Sequence, residues 1–197
     1  MKILCVADTP APDLLLRRAG KLPLAGIDLI LSCGDLPPEY LTSLRETYDA
    51  ALYYVLGNHD LRYQSAPPVG CSRLDGQLVR FQGRHLLGFS GSRWYNGGMN
   101  QYTEKEMKRQ VNKMRFPLWR RKRVDLVVTH APPRFVHDAE DLCHRGFRTY
   151  RWFIEKYRPR FFLHGHIHRD FKDDSLRRSQ LHSTSIINCY GYYVLEI

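Results

Sequence analysis

The sequence contains no apolar run approaching the ~20 residues that cross a bilayer. Its opening residues lack the apolar stretch and small-residue cleavage site of a secretory leader. Cysteine is sparse and unpatterned, with five residues, an odd number, and no C-x-x-C pair. Neither a disulfide framework nor a cysteine-rich zinc site is indicated. Cys5 and Cys33 fall in apolar runs, where a thiol serves as a small hydrophobe. These absences point to a reducing, cytoplasmic setting with no membrane partner. Acidic residues are also short, since 20 Asp and Glu against 30 Lys and Arg leave a net charge of +10. That surplus favours anionic partners and says nothing of the fold. Repeats, low-complexity tracts and linkers are missing too, so one domain over residues 1–197 is expected. With 43% hydrophobic and 25% charged residues, disordered and fibrous classes are excluded, and a core can form without disulfides.

What is present is an alternation of short apolar runs and helical patterns. Strands are expected over 2–7, 27–32, 52–56, 124–129 and 161–163, with a hairpin over 77–81 and 85–89. A second hairpin, 185–190 with 192–197, would close the chain around Gly191. Helices are expected over 13–20, 38–47 and 147–157, the last closed by Pro159. A further helix opens at the capping-box signature Thr103-Glu104-Lys105-Glu106 and ends near Pro117 or in the basic run Arg120–Arg123. The order predicts an α/β domain with a mixed sheet or two packed sheets.

Strand after strand ends in a metal-capable side chain: Asp8, Asp35, Asn58 with His59, His130, then His166 and His168. Ligand crevices in α/β sheets lie at the carboxyl ends of strands, so these residues would meet at one rim. Gly34, Gly57 and Gly165 precede three of the groups, where glycine permits a sharp turn and close backbone approach. Taken singly, such an Asp is a turn or capping residue and such a His a surface or satisfied core group. Their recurrence at five strand ends is what points to a site. Oxygen and nitrogen donors without thiolate suit Mn²⁺, Fe, Zn²⁺ or Mg²⁺.

Gly34-Asp35, Gly57-Asn58-His59-Asp60, His130 and Gly165-His166-Ile167-His168 stand in an order and spacing that resembles the calcineurin-like metallophosphoesterases over nearly the whole chain. The resemblance implies a two-sheet β-sandwich flanked by helices in an α-β-β-α arrangement, and two divalent metal ions. Mn²⁺ leads among them, with Fe, Zn²⁺, Ni²⁺ and Mg²⁺ as alternatives. By that resemblance Asp35 bridges both ions, Asn58, His130 and His166 complete one, and Asp8 and His168 belong to the other. His59 would contact the scissile phosphate or protonate the leaving group, with Asp60 orienting it. The implied reaction is hydrolysis of a phosphodiester or phosphomonoester by in-line attack of a metal-bound hydroxide. One departure stands out: the family's Asp-x-His motif reads Asp8-Thr9-Pro10 here. Pro10 cannot ligate, so the first ion is expected to be weakly held unless water, Asp13 or another His fills the gap.

Beside these, Arg93 is a candidate phosphate contact, and Tyr95 or Trp94 a stacking surface for a nucleoside. His137, Asp141 and His144 are candidates to line the pocket, with ordinary loop packing as the alternative for each. The run Arg120–Arg123 would serve a nuclease as a phosphate-backbone contact; it equally suits a helix C-terminus. The expected partner is a phosphoester, a nucleotide among the candidates. A nuclease and a non-catalytic metal-binding scaffold are the rival readings.

Overall fold

The computed structural model describes residues 1–121 and 123–197; Lys122, in the basic run singled out above, lies outside the described residues. In chain order the elements are β1 (Lys2–Ala7), β2 (Leu29–Ser32), α1 (Pro38–Tyr48), β3 (Ala51–Tyr54), β4 (Ser72–Arg73), β5 (Leu78–Phe81), β6 (Arg84–Phe89), β7 (Ser92–Arg93) and β8 (Gln101–Tyr102). They continue with α2 (Glu104–Lys113), α3 (Arg115–Arg121), β9 (Leu126–Thr129), α4 (Arg148–Tyr157), β10 (Phe161–His164), β11 (Arg178–Leu181), β12 (Thr184–Asn188) and β13 (Gly191–Glu196). Among the described residues no helix is long and apolar enough to cross a membrane. All five cysteines are free thiols.

Two sheets form. One has the order β13-β1-β2-β3-β4, the other β11-β12-β10-β9-β6-β5. In the first, β1, β2, β3 and β4 run parallel and β13 lies antiparallel to β1. In the second, β12, β10, β9 and β6 run parallel between two antiparallel edges. Alternate residues of each strand face opposite ways. Ile3, Cys5, Leu29 and Leu31 of the first sheet therefore meet Leu86, Leu126, Val128 and Leu163 of the second in a dry inter-sheet core. The opposite faces take helices. Leu4, Val6 and Ile30 pack on Leu41 and Leu44 of α1. Leu87, Val127 and Phe162 pack on Met107, Leu118, Phe153 and Ile154 of α2, α3 and α4. The result is the α-β-β-α layering expected from the resemblance.

Several local expectations change. The segment 185–197 is not a hairpin, because β12 joins β10 in one sheet and β13 joins β1 in the other. The chain crosses between sheets just before Gly191, so that β12 adds to β10 along four positions and β13 to β1 along six. Residues 13–20 do not form a helix; only a 3-10 turn, Pro12–Leu15, is present. It buries Leu14 while Leu16 stays 53% exposed, so the segment lacks the apolar stripe that sustains an α-helix. The Thr103 capping box forms in full, but its helix pauses at Met114. A second helix then starts, with Pro117 in its first turn, where a missing N–H costs nothing.

One buried carboxylate ties β6 to β9. Asp125 is 4% exposed. It accepts the His85 N–H at 2.8 Å and pairs with Arg123, with Arg84 at 3.7 Å. Burial opposes its charge, but Arg123 and the His85 N–H outweigh it and hold the carboxyl below its ordinary range. A depressed carboxylate contributes stability above the unfolded pKa of about 4, lost as pH falls through the folded value. We expect Asp125→Asn to lower unfolding free energy at pH 7 by about 1–3 kcal/mol. The gap from wild type should narrow below about pH 4. Urea titrations at pH 3 and pH 7 check this; an equal gap at both would refute the electrostatic account.

Candidate metal centre

Parallel strands deliver their carboxyl ends to one rim. β1 runs into Asp8, β2 into Asp35, β3 into Asn58, β9 into His130 and β10 into His166. Asp8, Asp35 and His166 take positive φ, at 66°, 56° and 67°. Non-glycine residues seldom hold that conformation unless their surroundings enforce it. Neighbouring glycines make the turns possible by leaving room. A Cβ on Gly57 would lie 2.0 Å from Asp35 Oδ1, and one on Gly165 would lie 2.7 Å from Asp8 Oδ2.

The donor set is organised by backbone carbonyls one layer out. His130 Nδ1 lies 2.9 Å from the Cys33 carbonyl, which can only accept, so Nδ1 carries the proton. Its Nε2 then faces Asn58 Oδ1 at 3.1 Å and Asp35 Oδ2 at 3.2 Å. The Asn58 amide is oriented by its other end, where Nδ2 donates to Tyr95 Oη at 3.3 Å. His166 donates Nε2–H to the Cys143 carbonyl at 2.8 Å, which frees Nδ1. Ligand atoms of Asp35, His130 and His166 all lie within 4.8 Å of one another. Lone pairs thus converge with no hydrogen between them, while each ring's remaining N–H is held by a carbonyl, the outer support typical of metal-ligating histidines. A divalent cation fits this arrangement. Without one, a proton takes its place. Burial disfavours charge on His130, but the Asp35 and Asp8 carboxylates outweigh it and raise its pKa to about 9. Burial likewise opposes charge on Asp35, yet His130 and the His59 N–H bring it down to about 2. Burial, then His130, pushes His166 down to about 3, so it stays neutral.

Asp8 and His168 sit beside this cluster. The Asp8 side chain has no exposed surface, and both its oxygens accept the His166 N–H, at 2.9 and 3.1 Å. His168 Nε2 lies 3.6 Å from Asp8 Oδ1, and its ring is 58% exposed and stacked on Tyr190.

His59 is exposed at the mouth of a hollow of about 170 Å³ that Asp35 and Asp60 also line. Its backbone N–H donates to Asp35 Oδ1 at 2.8 Å. Asp60 is engaged by backbone through one carboxylate oxygen. Its Oδ2 accepts the N–H groups of Asp35, at 2.9 Å, and Gly57, at 2.8 Å, pinning two of the rim's loops together. Burial, with Asp35 nearby, raises its pKa to about 6. Tyr95 reaches the cluster through Asn58. His144 is brought to it as well, its ring 5.4 Å from that of His166 and its Nδ1 3.0 Å from Asp141. Two candidates face elsewhere. Arg93 is tied to Glu104 at 2.8 Å. His137 lies behind the cluster, its Nδ1 2.9 Å from His164 Nε2 and its Nε2 2.8 Å from Ser179 Oγ.

Sequence reasoning missed the contributors that act through backbone or from a distance. The carbonyls of Cys33 and Cys143 leave no side-chain signature. Arg134 pairs with Asp138 at 2.6 Å and Glu140 at 2.8 Å, holding the loop that carries Cys143 over His166. Its only signal was position, after His130-Ala131-Pro132-Pro133.

Comparison with solved structures agrees with this architecture. One crystal structure aligns with a TM-score of 0.70 at 14% identity, covering 98% of this chain and 94% of that one. TT1561 of Thermus thermophilus aligns with a TM-score of 0.65 at 14% identity, covering 96% of this chain and 89% of that one. At such identities the likeness concerns the fold. No curated protein matches the chain. Residues 1–170 match the model of the calcineurin-like phosphoesterases, a span containing every rim residue described above, and the chain belongs to that family of phosphoester hydrolases, whose members typically bind divalent metal ions.

Proposed function

We propose that this chain, acting as a single domain, hydrolyses a phosphodiester or phosphomonoester at a divalent-metal centre held by Asp35, Asn58, His130 and His166. The observation that carries the reading is the meeting of bare acceptor atoms at 3.1–3.2 Å around His130 Nε2, which only a cation or a proton reconciles. Divalent ions held there would supply Lewis-acid charge for the phosphoryl oxygens and activate water as the nucleophile. Asp8, Asp35 and His168 would hold a second ion. With Pro10 in place of a ligand and His168 58% exposed, that ion is the exchangeable one. Mn²⁺ suits this set of oxygen and nitrogen donors.

The chain's own residues divide the remaining work. His59 stands at the open side of Asp35 and donates a proton to the departing oxygen. Asp60 keeps the Asp35 and Gly57 loops in register. His144 and Tyr95 edge the cluster, where they would contact a phosphoryl or nucleoside group.

Elemental analysis after Mn²⁺ loading and desalting, together with turnover of bis-p-nitrophenyl phosphate and p-nitrophenyl phosphate, tests the reading. At least one tightly held ion per chain and turnover of one ester class are expected. No retained metal, or no turnover of either ester by loaded protein, would overturn it. His59→Ala is expected to keep its metal and lose about 10²–10⁴-fold in turnover of esters with poor leaving groups. Unchanged turnover of an alkyl phosphate ester would remove His59 from that role.

A further inference from the structure

The positive charge of this protein is concentrated on one stretch. Residues 104–123 carry nine Lys and Arg and two Glu, which is +7 of the chain's +10. Both glutamates are already engaged. Glu104 accepts from Arg93 and from the first backbone N–H groups of α4, Arg148 at 2.7 Å and Thr149 at 3.2 Å. Glu106 closes the Thr103 capping box. On α4 the one acid, Glu155, is paired with Arg151 at 3.2 Å, so the outer face of α2, α3 and α4 keeps a surplus of basic charge.

Aromatic rings are interleaved with those cations. Trp119 is 73% exposed, Phe116 66% and Trp152 37%, in a chain with three tryptophans. Two hollows lie on this face. One, of about 500 Å³, has Trp152 as its apolar wall and Lys105, Lys108 and Arg148 around it, together with Glu104, whose carboxylate is already engaged. The other, of about 230 Å³, is walled by Trp119, Leu118 and Tyr157, with Arg123, itself paired to Asp125, at its side. Trp152 and Tyr157 connect them, with ring centroids 6.2 Å apart, and Lys156 Nζ lies 4.9 Å from one ring and 5.4 Å from the other.

We propose that this face binds single-stranded nucleic acid. Flat rings alternating with cations offer a stacking surface for each base and a counter-charge for each phosphate. The hollows decide between this occupant and an anionic membrane. A lipid surface cannot follow a concave wall, whereas an unpaired base can enter it and stack on its tryptophan. None of these residues belongs to the metal centre, so the inference stands apart from the proposed reaction.

Fluorescence anisotropy with a labelled dodecamer of uridylate tests it on the full-length, metal-loaded protein, with probe integrity checked by gel. Three or four phosphate contacts predict an affinity falling about 20- to 50-fold between 50 and 200 mM salt. Trp119→Ala and Trp152→Ala should each weaken binding about fivefold or more. Lys105→Gln and Lys108→Gln should each reduce the salt slope by about 0.7. All four should leave turnover of a small phosphoester unchanged. Should Trp152→Ala lower the melting temperature, Trp119→Ala and the lysine variants decide alone. Absence of binding at 50 mM salt, or binding indifferent to Trp119 and both lysines, would overturn the proposal. So would capture by phosphatidylserine vesicles, dependent on Trp119, with no oligonucleotide binding. A protein that binds the oligonucleotide yet turns over no phosphoester would keep this inference and refute the proposed reaction.

Discussion

Asp35→Asn is expected to cost the protein both its tightly held metal and its turnover while the fold survives. The substitution conserves shape, so the inter-sheet core and the positive-φ turn at residue 35 are undisturbed. What changes is charge and lone pairs. Asp35 Oδ2 is one of the acceptors meeting His130 Nε2, at 3.2 Å, and Oδ1 accepts the His59 N–H at 2.8 Å. If the amide keeps its oxygen toward His59, its NH₂ points into the cation's place. If it flips, a donor faces the His59 N–H. Either orientation removes an anionic ligand that the proposed assignment shares between two ions. Supporting groups outside the ligand shell are worth about 10–100-fold in metal affinity, so a direct carboxylate ligand should exceed that. Turnover should fall by at least about 10²–10³-fold. Elemental analysis, a melting curve and the phosphoester assay separate the effects. Normal metal content in a folded variant would remove Asp35 from the centre.

Asp35 is legible in the chain itself as a carboxylate at the end of an apolar run. Apolar runs that stop at Asp8, Asp35, Asn58, His130 and His166 place those side chains where parallel strands open, while the runs left one mixed sheet or two packed sheets open and the two-sheet layering came from the family resemblance. The structure adds what pattern cannot carry. His130 is oriented by a carbonyl 97 positions away, that of Cys33, and a carbonyl has no residue identity. Asn58 is turned by Tyr95, whose aromatic character suggested stacking and whose hydroxyl turns out to matter. Arg93 looked like a phosphate contact because it follows a strand end. Glu104 claims it instead, and Glu104 also caps a helix whose own N-cap, Phe147, offers no side-chain acceptor. The hairpin expected over 185–197 failed for a related reason. Two adjacent apolar runs with a glycine between them are compatible with a hairpin and with a crossing between sheets, and only the partners available elsewhere decide.

Pro10 bears on the centre in a way that the acceptor geometry sharpens. The compact cluster is the one built from Asp35, His130 and His166. Asp8 spends both oxygens on the His166 N–H, and its other close partner, His168, is half in solvent. On the proposed two-ion assignment, a well-organised half and a loosely built half should fill in sequence. In that assignment the half that lacks a ligand at Pro10 is also the half whose His168 is exposed.

Gly57→Ala is expected to rival Asp35→Asn although it alters no ligand. Gly57 lies between β3 and Asn58, and its N–H is already bonded to Asp60 Oδ2 at 2.8 Å. An added Cβ would stand 2.0 Å from Asp35 Oδ1, 2.4 Å from its Cγ and 2.8 Å from its backbone N. No side chain can tolerate such contacts, so one of the two loops must move. The Asp35 carboxylate is the softer element, yet it is hemmed in by the His59 N–H on one oxygen and His130 Nε2 on the other. Displacing the Gly57 loop instead would drag Asn58, the next residue, out of reach of His130. Both escapes dismantle the same centre. Overpacking should cost about 1–3 kcal/mol of stability, and metal retention should drop to the level of Asp35→Asn. Gly165→Ala offers the comparison, because its Cβ would meet Ala7 Cβ and Asp8 Oδ2 at 2.7 Å. That change strikes Asp8 directly and reaches His166, the next residue, only through a shift of the loop, so the ion at Asp8 should be lost more completely than the ion at Asp35 and His130. Metal counts for the two variants, measured after identical desalting, check the assignment of halves: equal losses in both would mean that the two ions are not held independently.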